Sequence, residues 1–289
     1  METVNPVMLD ELTVDREPFY VDSHNQIPHA LGAYEARIPI LLRGPTGCGK
    51  TRFMERLVWE IDQHGFRASD TGEGPGSKTP LMTVACHEDL TSGDLVGRYV
   101  LQGESTVWMD GPLTTAVRHG AICYLDELAE ARRDTTVVVH AVTDYRRMLP
   151  IERLGTVIRA HPSFLLVASH NPASDMGLRL LRDSTAQRFM TIDFSYPDED
   201  VEAEILVKEG GIHSDLAASL VKLGVGIRRQ QLAAGSVLPS TRLLVHAAKL
   251  VHHGESPVAA CEFAVIRTIA TDASEQEGMI ELARALLPE

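Results

Sequence analysis

Short apolar runs alternate with longer amphipathic segments over the first two thirds of the chain. Five of these runs have the length and composition of buried β-strands, and they lie at residues 38–42, 81–85, 121–125, 164–168 and 190–194. After the first run, Phe53, Leu57 and Ile61 recur every four positions, as on one face of a helix. Because strands that alternate with helices build a parallel sheet, the pattern predicts an α/β fold with helices on both faces of the sheet.

The pattern changes after Pro197, where helical periodicity takes over. Helices are predicted at residues 199–209, 215–231, 241–252 and 257–270. Ser240 precedes the third of these helices and is a typical N-cap residue. We therefore expect three parts, namely a lead-in at residues 1–36, an α/β domain at 37–200 and a small all-α lid domain at 201–289. A glycine- and serine-rich loop is expected at residues 65–79.

The most informative motif lies between the first strand and the helix that follows it. Residues 44–51 read Gly-Pro-Thr-Gly-Cys-Gly-Lys-Thr and match the phosphate-binding pattern G-x-x-x-x-G-K-[ST]. In such a loop, backbone N–H groups surround a triphosphate and the helix N-terminus adds partial positive charge. Lys50 is predicted to bridge the β- and γ-phosphates, and the Thr51 hydroxyl to ligate Mg²⁺. The flanking strand and helix argue against a chance match, and Cys48 is expected to fill a tight turn.

An acidic pair at the end of the third strand supplies the second half of the predicted site. Asp126 can hold the water shell of Mg²⁺ opposite Thr51. Glu127 can take a proton from the attacking water, since this step needs a base close to the γ-phosphate and a carboxylate can serve as that base. The alternative is a solvated strand end, and it loses weight because the pair follows an apolar strand downstream of a phosphate loop.

Polar residues farther along the chain complete the predicted site. Asn171 follows the fourth strand and can orient water or sense the γ-phosphate, with a simple Asn-Pro turn as the alternative. Arg188 precedes the fifth strand and can reach a nucleotide in a neighbouring subunit, where it would stabilise transition-state charge. Arg182 is a second candidate, although a surface salt bridge is the favoured interpretation for it. Arg242, near the start of the third C-terminal helix, can fold back onto the phosphates.

Composition limits the function classes. With 289 residues, 44% hydrophobic and 23% charged, the chain has the make-up of an ordinary globular protein. The net charge of −13 disfavours binding to nucleic acid or to anionic membranes. No apolar run approaches the ~20 residues of a membrane span, and the first ten residues do not resemble a signal peptide. The four cysteines are scattered, which indicates neither a zinc site nor disulfides, and we expect a cytoplasmic protein.

The order of these motifs resembles that of an AAA+ ATPase with a P-loop NTPase core. The chain is most similar to the MoxR group, within its CbbQ/NirQ/NorQ branch, and especially to the CbbQ type. The residues that carry the resemblance are 44–53, 83–91, 94–99, 108, 110–113, 120–127, 131–132, 134–136 and 240–244. One departure is Ala186, where family members often carry an arginine two positions before the one that aligns with Arg188.

The resemblance implies cofactors, assembly and roles for individual residues. ATP and Mg²⁺ are the implied cofactors, and a homohexameric ring is the implied assembly. Asp126 and Glu127 are assigned to hydrolysis, Asn171 to sensing, Arg188 to an arginine finger and Arg242 to a second sensor. Thr51 and Asp126 are the implied metal-site residues. The implied nucleotide-binding residues are Gly44, Pro45, Thr46, Gly47, Cys48, Gly49, Lys50, Thr51 and Arg52.

Two insertions mark this group, and both are expected to face the pore of the ring or one of its surfaces. They correspond to residues 100–109 and to a hairpin at about 147–160. Residues 101–108 alternate apolar and polar side chains beyond a glycine, as in a small hairpin. We expect the part around Glu104 to transmit work to a client, while Trp108 could instead be a core residue.

The implied function is an ATP-driven motor that remodels a client protein complex. Members of the CbbQ type, with a partner that carries a von Willebrand A domain, reactivate inhibited Rubisco. Members of the NirQ/NorQ type assist the maturation of nitric oxide reductase, and gas-vesicle ATPases are a further possibility. Two alternatives of other classes are a nucleic-acid motor or loader and a nucleotide-gated scaffold with negligible turnover. No basic stripe supports the nucleic-acid motor, and Glu127 and Arg188 argue against the scaffold.

Overall fold

The predicted parallel sheet is present in the computed structural model, which describes residues 3–4, 12–66, 78–172, 183–234 and 237–288. Its strands, in chain order, are β1 (Thr3–Val4), β2 (Ile40–Arg43), β3 (Leu81–Ala85), β4 (Gly97–Gln102), β5 (Ser105–Asp110), β6 (Ile122–Asp126), β7 (Met148–Ile151), β8 (Thr156–Arg159), β9 (Leu165–His170) and β10 (Met190–Asp193). Five of them form one sheet in the order β10-β2-β9-β6-β3, and all neighbours are parallel. The predicted α/β fold and each of its five strands are therefore confirmed.

Helices connect the strands and make up the C-terminal part. They are α1 (Gln26–Glu35), α2 (Lys50–Gln63), α3 (Ser92–Val96), α4 (Pro112–His119), α5 (Arg133–Thr143), α6 (Asp183–Ala186), α7 (Glu199–Gly210), α8 (Ser214–Ala234), α9 (Thr241–His252), α10 (Pro257–Cys261), α11 (Arg267–Ile269) and α12 (Ala273–Leu286). The side chains of Phe53, Leu57 and Ile61 on α2 are fully buried, as their spacing predicts. In the part of the chain that the structure describes, no helix is long and apolar enough to cross a membrane.

The described residues form two compact units. The first consists of Met1–Gly44 and Lys50–Asp193, and the second of Pro45–Gly49 and Phe194–Glu289. The first contains the sheet, and the second contains the C-terminal helices around a core of their own. The expected domain boundaries at residues 36/37 and 200/201 stay a prediction.

The first strand of the sheet begins later than the apolar run that predicts it. Ile38 is 42% exposed, and its N–H donates to the carbonyl of Ala33 at 2.8 Å, so it closes the end of α1. Pro39 has no N–H for a sheet ladder, although its carbonyl accepts the N–H of Met190 at 2.8 Å. The ladder therefore starts at Ile40, which pairs with Met190 and Val167.

The C-terminal helices agree with the prediction except near the end. The helix expected at residues 257–270 is interrupted, because a π-helical turn at Glu262–Ile266 separates α10 from α11. Helix α12, whose first turn is capped by the Asp272 carboxylate, is an addition to the predicted helices. Ser240 caps α9 as predicted, since its side chain accepts the N–H of Leu243.

Both expected insertions are antiparallel hairpins. In the first, β4 and β5 pair from Gly97–Asp110 to Gln102–Ser105, and the turn contains Gly103 in the left-handed region at φ 62°. In the second, β7 and β8 pair from Met148–Arg159 to Ile151–Thr156. Trp108 is 1% exposed and its Nε1 donates to Asp110 at 2.6 Å, which confirms it as a core residue.

Candidate active site

The parallel register brings the carboxyl ends of four strands to one edge of the sheet. Arg43 at the end of β2 pairs with His170 of β9, and Ala85 of β3 pairs with Asp126 of β6. In open α/β sheets, ligands bind at the carboxyl ends of the strands. The motif of residues 44–51 follows β2, and the acidic pair consists of the last residue of β6 and the residue after it. The sheet therefore collects the predicted chemistry at its carboxyl edge.

The glycine-rich motif has the backbone conformation that its glycines allow. Gly47 and Gly49 have φ angles of 73° and 105°, a region that residues with a Cβ rarely adopt. Lys50 is the first residue of α2 and is 6% exposed, and its Nζ donates to the Gly44 carbonyl at 2.8 Å. Cys48 is buried, as a small residue in a tight turn should be. A cation at a helix N-terminus beside a turned backbone is an arrangement that suits phosphate oxygens.

The acidic pair is held by a hydroxyl group from the neighbouring strand. The Ser169 hydroxyl donates to the Asp126 carboxylate at 2.6 Å and accepts the N–H of Glu127 at 2.8 Å. Tyr124 also donates to Asp126, at 2.7 Å, and the Asp126 carbonyl accepts the N–H of Cys86 at 2.8 Å. These bonds fix the position of Asp126 and the direction in which the chain leaves β6.

Glu127 has a strained backbone and a perturbed carboxyl group. Its φ and ψ are 57° and 53°, in the left-handed region that is uncommon for residues other than glycine. Burial raises the pKa of its carboxyl group, and the charge of Asp126 adds to this, while the charges of Lys50 and His170 and the N–H of Asn171 oppose it. A raised pKa makes a carboxylate a stronger proton acceptor than an ordinary, solvent-exposed one.

Tyr124 reports the surroundings of Thr51 and Asp126. Its hydroxyl donates to Asp126 at 2.7 Å, and burial strongly raises the pKa of that hydroxyl, while Ser169 and, to a smaller extent, Thr51 oppose the shift. Hydroxyl and carboxylate oxygens are the ligands that Mg²⁺ takes from proteins, and Mg²⁺ keeps several waters and binds substrate phosphates. The described residues contain no cluster of three or more His, Cys, Asp or Glu side chains that could hold an ion alone. This donor set therefore fits Mg²⁺ that is held jointly with a nucleotide.

Of the remaining predicted residues, one lies in this cluster and the others lie elsewhere or outside the described residues. Asn171 belongs to this cluster, since its N–H faces the Glu127 carboxylate. Arg52 is exposed and pairs with Glu55 at 2.8 Å. The charge of Arg188 acts on Asp144, the residue that follows α5. The Nε of Arg188 is buried and has no hydrogen-bond partner among the described residues. Arg182 lies outside the described residues.

Arg242 belongs to the second unit together with residues 45–49 of the loop. A Cβ placed on Gly47 would lie 3.3 Å from the Cβ of Arg242. The stem of Arg242 therefore starts beside Gly47 of the phosphate-binding loop, and its role as a second sensor stays a prediction.

Four residues of the site, Tyr124, Ser169, His170 and Cys86, are not among those that the sequence predicts to be functional. A signal for Tyr124 was available, since it precedes Asp126 by two positions and so shares its face of the strand. Ser169 is next to Asp126 only because Leu125 pairs with Ala168 across the sheet. The residue pattern along one strand does not reveal how that strand pairs with its neighbour.

Comparisons with known proteins agree with this geometry. The AAA domain family (dynein-related subfamily) matches residues 39–189, and the CbbQ/NirQ/NorQ C-terminal family matches residues 202–286. Protein CbbQ of Hydrogenophilus thermoluteolus is 45% identical over 263 residues, which cover 91% of this chain and 92% of that protein. Protein NorQ of Paracoccus denitrificans is 44% identical over 272 residues, which cover 93% of this chain and 94% of that protein. The denitrification regulatory protein NirQ of Pseudomonas aeruginosa is 41% identical over 268 residues, which cover 93% of this chain and 97% of that protein.

Solved structures share the fold at low sequence identity. A mutant of Thermotoga maritima RuvB superposes with a TM-score of 0.53 and 15% identity, covering 96% of this chain and 73% of that one. Another RuvB structure from the same organism, described as a Holliday junction branch migration motor, superposes with a TM-score of 0.52 and 13% identity. At this level of identity the likeness shows the AAA+ fold, with its α/β core and helical lid, and nothing about the substrate.

The raised pKa of Glu127 predicts a pH-dependent gain in stability for Glu127→Gln. Between the pKa of Glu127 in the unfolded chain and its higher pKa in the folded chain, the folded chain keeps a proton that the unfolded chain has lost. The free energy of unfolding therefore falls as the pH rises through this range, and above the folded pKa the ionised carboxylate lowers stability by a constant amount. Relative to the unmodified chain, the variant should gain free energy of unfolding as the pH rises from about 4, the ordinary glutamate value, and level off above the folded pKa. Denaturant unfolding at a series of pH values measures this. A difference that does not vary with pH would contradict the assignment, and the exposed substitution Glu281→Gln is the control.

Proposed function

The chain belongs to the CbbQ/NirQ/NorQ branch of the MoxR-group AAA+ ATPases and is an ATP hydrolase, and from this premise we propose that it couples ATP hydrolysis to the remodelling of a client protein complex. The observation that carries the proposal is the half-buried Glu127 carboxylate, which lies close to the charge of Lys50 and faces the Asn171 N–H, on a backbone whose N–H is held by the Ser169 hydroxyl. A base beside a phosphate-binding cation is the arrangement that hydrolysis of a triphosphate needs.

Each residue of the cluster has a distinct proposed role. Lys50 binds the β- and γ-phosphates, for which its Nζ leaves the Gly44 carbonyl. Thr51 and Asp126 hold Mg²⁺, which supplies neutralisation of phosphate charge when it is bound. Glu127 accepts the proton of the attacking water, and Asn171 orients that water or senses the γ-phosphate. Residues 44–49 and Arg52 line the phosphates.

Arg188 and Arg242 are proposed to act as the arginine finger and the second sensor. In the first unit the charge of Arg188 acts on Asp144, and the Lys50–Glu127 cluster does not include it. It is therefore available to a nucleotide bound to a neighbouring subunit. AAA domain proteins typically form oligomers, and we propose a homohexameric ring for this chain, with each site completed by Arg188 of the next subunit.

The two hairpins are the proposed point of contact with the client. Leu101 near the tip of the first hairpin is 80% exposed, and Val157 on the second is 57% exposed. The hairpins are connected, since the Tyr99 hydroxyl donates to the Arg153 carbonyl at 3.4 Å. Exposed apolar side chains on two connected hairpins are suited to binding another protein.

The client is proposed from the relatives. A CbbQ-like role, the reactivation of inhibited Rubisco with a partner that carries a von Willebrand A domain, is our first proposal. Maturation of nitric oxide reductase is the second candidate, because the NorQ relative is 44% identical over nearly the same length as the CbbQ relative. A nucleic-acid motor has less support, since the chain carries a net charge of −13.

Glu127→Gln should bind ATP and lose turnover. The amide keeps the shape of the side chain and cannot take a proton, and loss of a general base typically costs ~10²–10⁴-fold in rate. Phosphate release and equilibrium nucleotide binding are measured on the same preparation. The matched control is Glu130→Gln, three positions along the chain, which should keep its turnover. Near-normal hydrolysis by the Glu127 variant would rule out this role.

Mixed rings test whether Arg188 acts across subunits. Arg188→Ala should bind nucleotide and hydrolyse it poorly, since an arginine finger contributes ~10³–10⁵ in rate in well-studied cases. Lys50→Ala should not bind nucleotide. When the two variants are mixed, some interfaces combine an intact Lys50 with an intact Arg188, so ATPase activity should exceed the sum of the separate activities. If mixed rings form and never exceed that sum, the shared site is wrong.

Glu104→Ala should uncouple hydrolysis from the client. Glu104 lies at the tip of the first hairpin and is remote in sequence from the nucleotide-binding motifs. We expect basal ATPase activity and assembly to persist while sugar-phosphate-inhibited Rubisco, with ATP and the von Willebrand A partner, no longer recovers carboxylation. Glu281→Ala on α12 removes the same charge far away in sequence and should keep the recovery.

Two other outcomes of this assay are informative. Full recovery with Glu104→Ala would show that the hairpin does not transmit the work. No recovery with the unmodified chain, together with restored activity of nitric oxide reductase, would assign the second client.

A further inference from the structure

A buried ion pair in the second unit has no role in the proposed mechanism. Glu202 on α7 is fully buried, and Arg228 on α8 is 8% exposed. The guanidinium donates two parallel bonds to the carboxylate, Nη1 at 2.7 Å and Nη2 at 2.6 Å. Because desolvation cancels much of the attraction in a buried pair, such a pair is weak evidence for stability and often serves to fix one conformation.

The pair holds both sides of Ser240. The Arg228 Nε donates to the Pro239 carbonyl at 2.8 Å, and the Thr241 hydroxyl donates to the Glu202 carboxylate at 2.6 Å. The residue before the N-cap of α9 is thus bonded to the Arg228 guanidinium, and the residue after it is bonded to the Glu202 carboxylate. These two charged groups also bond each other.

The N-cap that is held in this way lies against the phosphate-binding loop. A Cβ on Gly47 would lie 2.6 Å from both the Cβ and the Oγ of Ser240, so the backbone of the loop packs directly on this side chain. Gly47 itself has a φ of 73°. All of these residues belong to the second unit, which includes Pro45–Gly49.

Tyr196 makes a second connection from the ion pair to the loop. The Arg228 guanidinium lies over its ring, 4.3 Å from the centroid. The Tyr196 hydroxyl donates to the carbonyl of Thr46 at 3.4 Å. The loop is therefore contacted at Thr46 and at Gly47 by side chains whose positions depend on Arg228.

We infer that Glu202, Arg228 and Thr241 are positioning residues for the nucleotide, which they affect by holding the N-cap of α9 and the loop at residues 45–49 in the arrangement that binds phosphates. This inference rests on the proposed function. A loop with two glycines has many conformations in the absence of such contacts. When only a fraction of molecules has the binding arrangement, the apparent affinity falls by that fraction.

The position of Arg242 depends on the same contacts. Its Cβ lies near Gly47, two residues after the held N-cap. A shift at the start of α9 would move the loop and this arginine together. The network therefore couples two proposed parts of the phosphate site through one buried carboxylate.

Thr241→Val is the sharpest test, because it keeps the shape of the side chain and removes one donor to Glu202. Nucleotide affinity should fall about tenfold, while kcat at saturating ATP should change less than about twofold, because saturating nucleotide restores the binding arrangement. Amide exchange at residues 46–49 and 240–243 of the nucleotide-free protein should become faster. Thr241→Ser keeps the hydroxyl and should retain the affinity and exchange of the unmodified chain.

Val265→Ala separates positioning from general loss of stability. Val265 is fully buried in the core of the same unit, and none of the contacts described above involves it. It should lower the melting temperature at least as much as Thr241→Val and leave nucleotide affinity and loop exchange unchanged. Equal affinity for the unmodified chain and Thr241→Val, or an equal loss in Val265→Ala, would overturn the inference. Absence of ATP binding by the unmodified chain would overturn the proposed function as well.

Discussion

The candidate active site depends on one hydroxyl group, that of Ser169, between two neighbouring parallel strands. It donates to the Asp126 carboxylate and accepts the N–H of Glu127. Glu127 has a left-handed backbone, which costs energy and persists only where surrounding contacts determine it. Because β6 and β9 are in register, this contact is available at the point where both strands end. The position of the acidic pair is therefore a property of the sheet.

The electrostatics of the site follow from that position. The chain turns at Glu127, and its carboxyl group becomes half-buried beside Asp126 and close to the charge of Lys50. Burial raises the pKa, while Lys50 and the Asn171 N–H keep the shift limited. Burial and a nearby cation thus act in opposite directions on one group. The result is a carboxylate that can accept a proton and that lies next to the residue expected to bind phosphate.

The second unit uses the same physical device on another carboxylate. Glu202 is buried and accepts from Arg228 and Thr241, as Asp126 accepts from Ser169 and Tyr124. The Ser169 hydroxyl fixes the end of β6, and the Thr241 hydroxyl fixes the start of α9. Polar groups buried in this way must be satisfied, so each network favours one local arrangement over its competitors.

The sequence by itself determined the α/β fold, the strands and most of the C-terminal helices, because apolar periodicity and glycine chemistry are local properties. It also identified residues 44–51 and the acidic pair, since a phosphate loop needs particular residues at fixed spacing. It misplaced the start of β2 and did not foresee the π-helical turn or α12, because competing backbone hydrogen bonds and packing decided these points. Only the tertiary structure joined Ser169 to Asp126 and Thr241 to Glu202, which are far apart along the chain. Strand register and helix packing created these contacts, and neither is encoded in the pattern of any single segment.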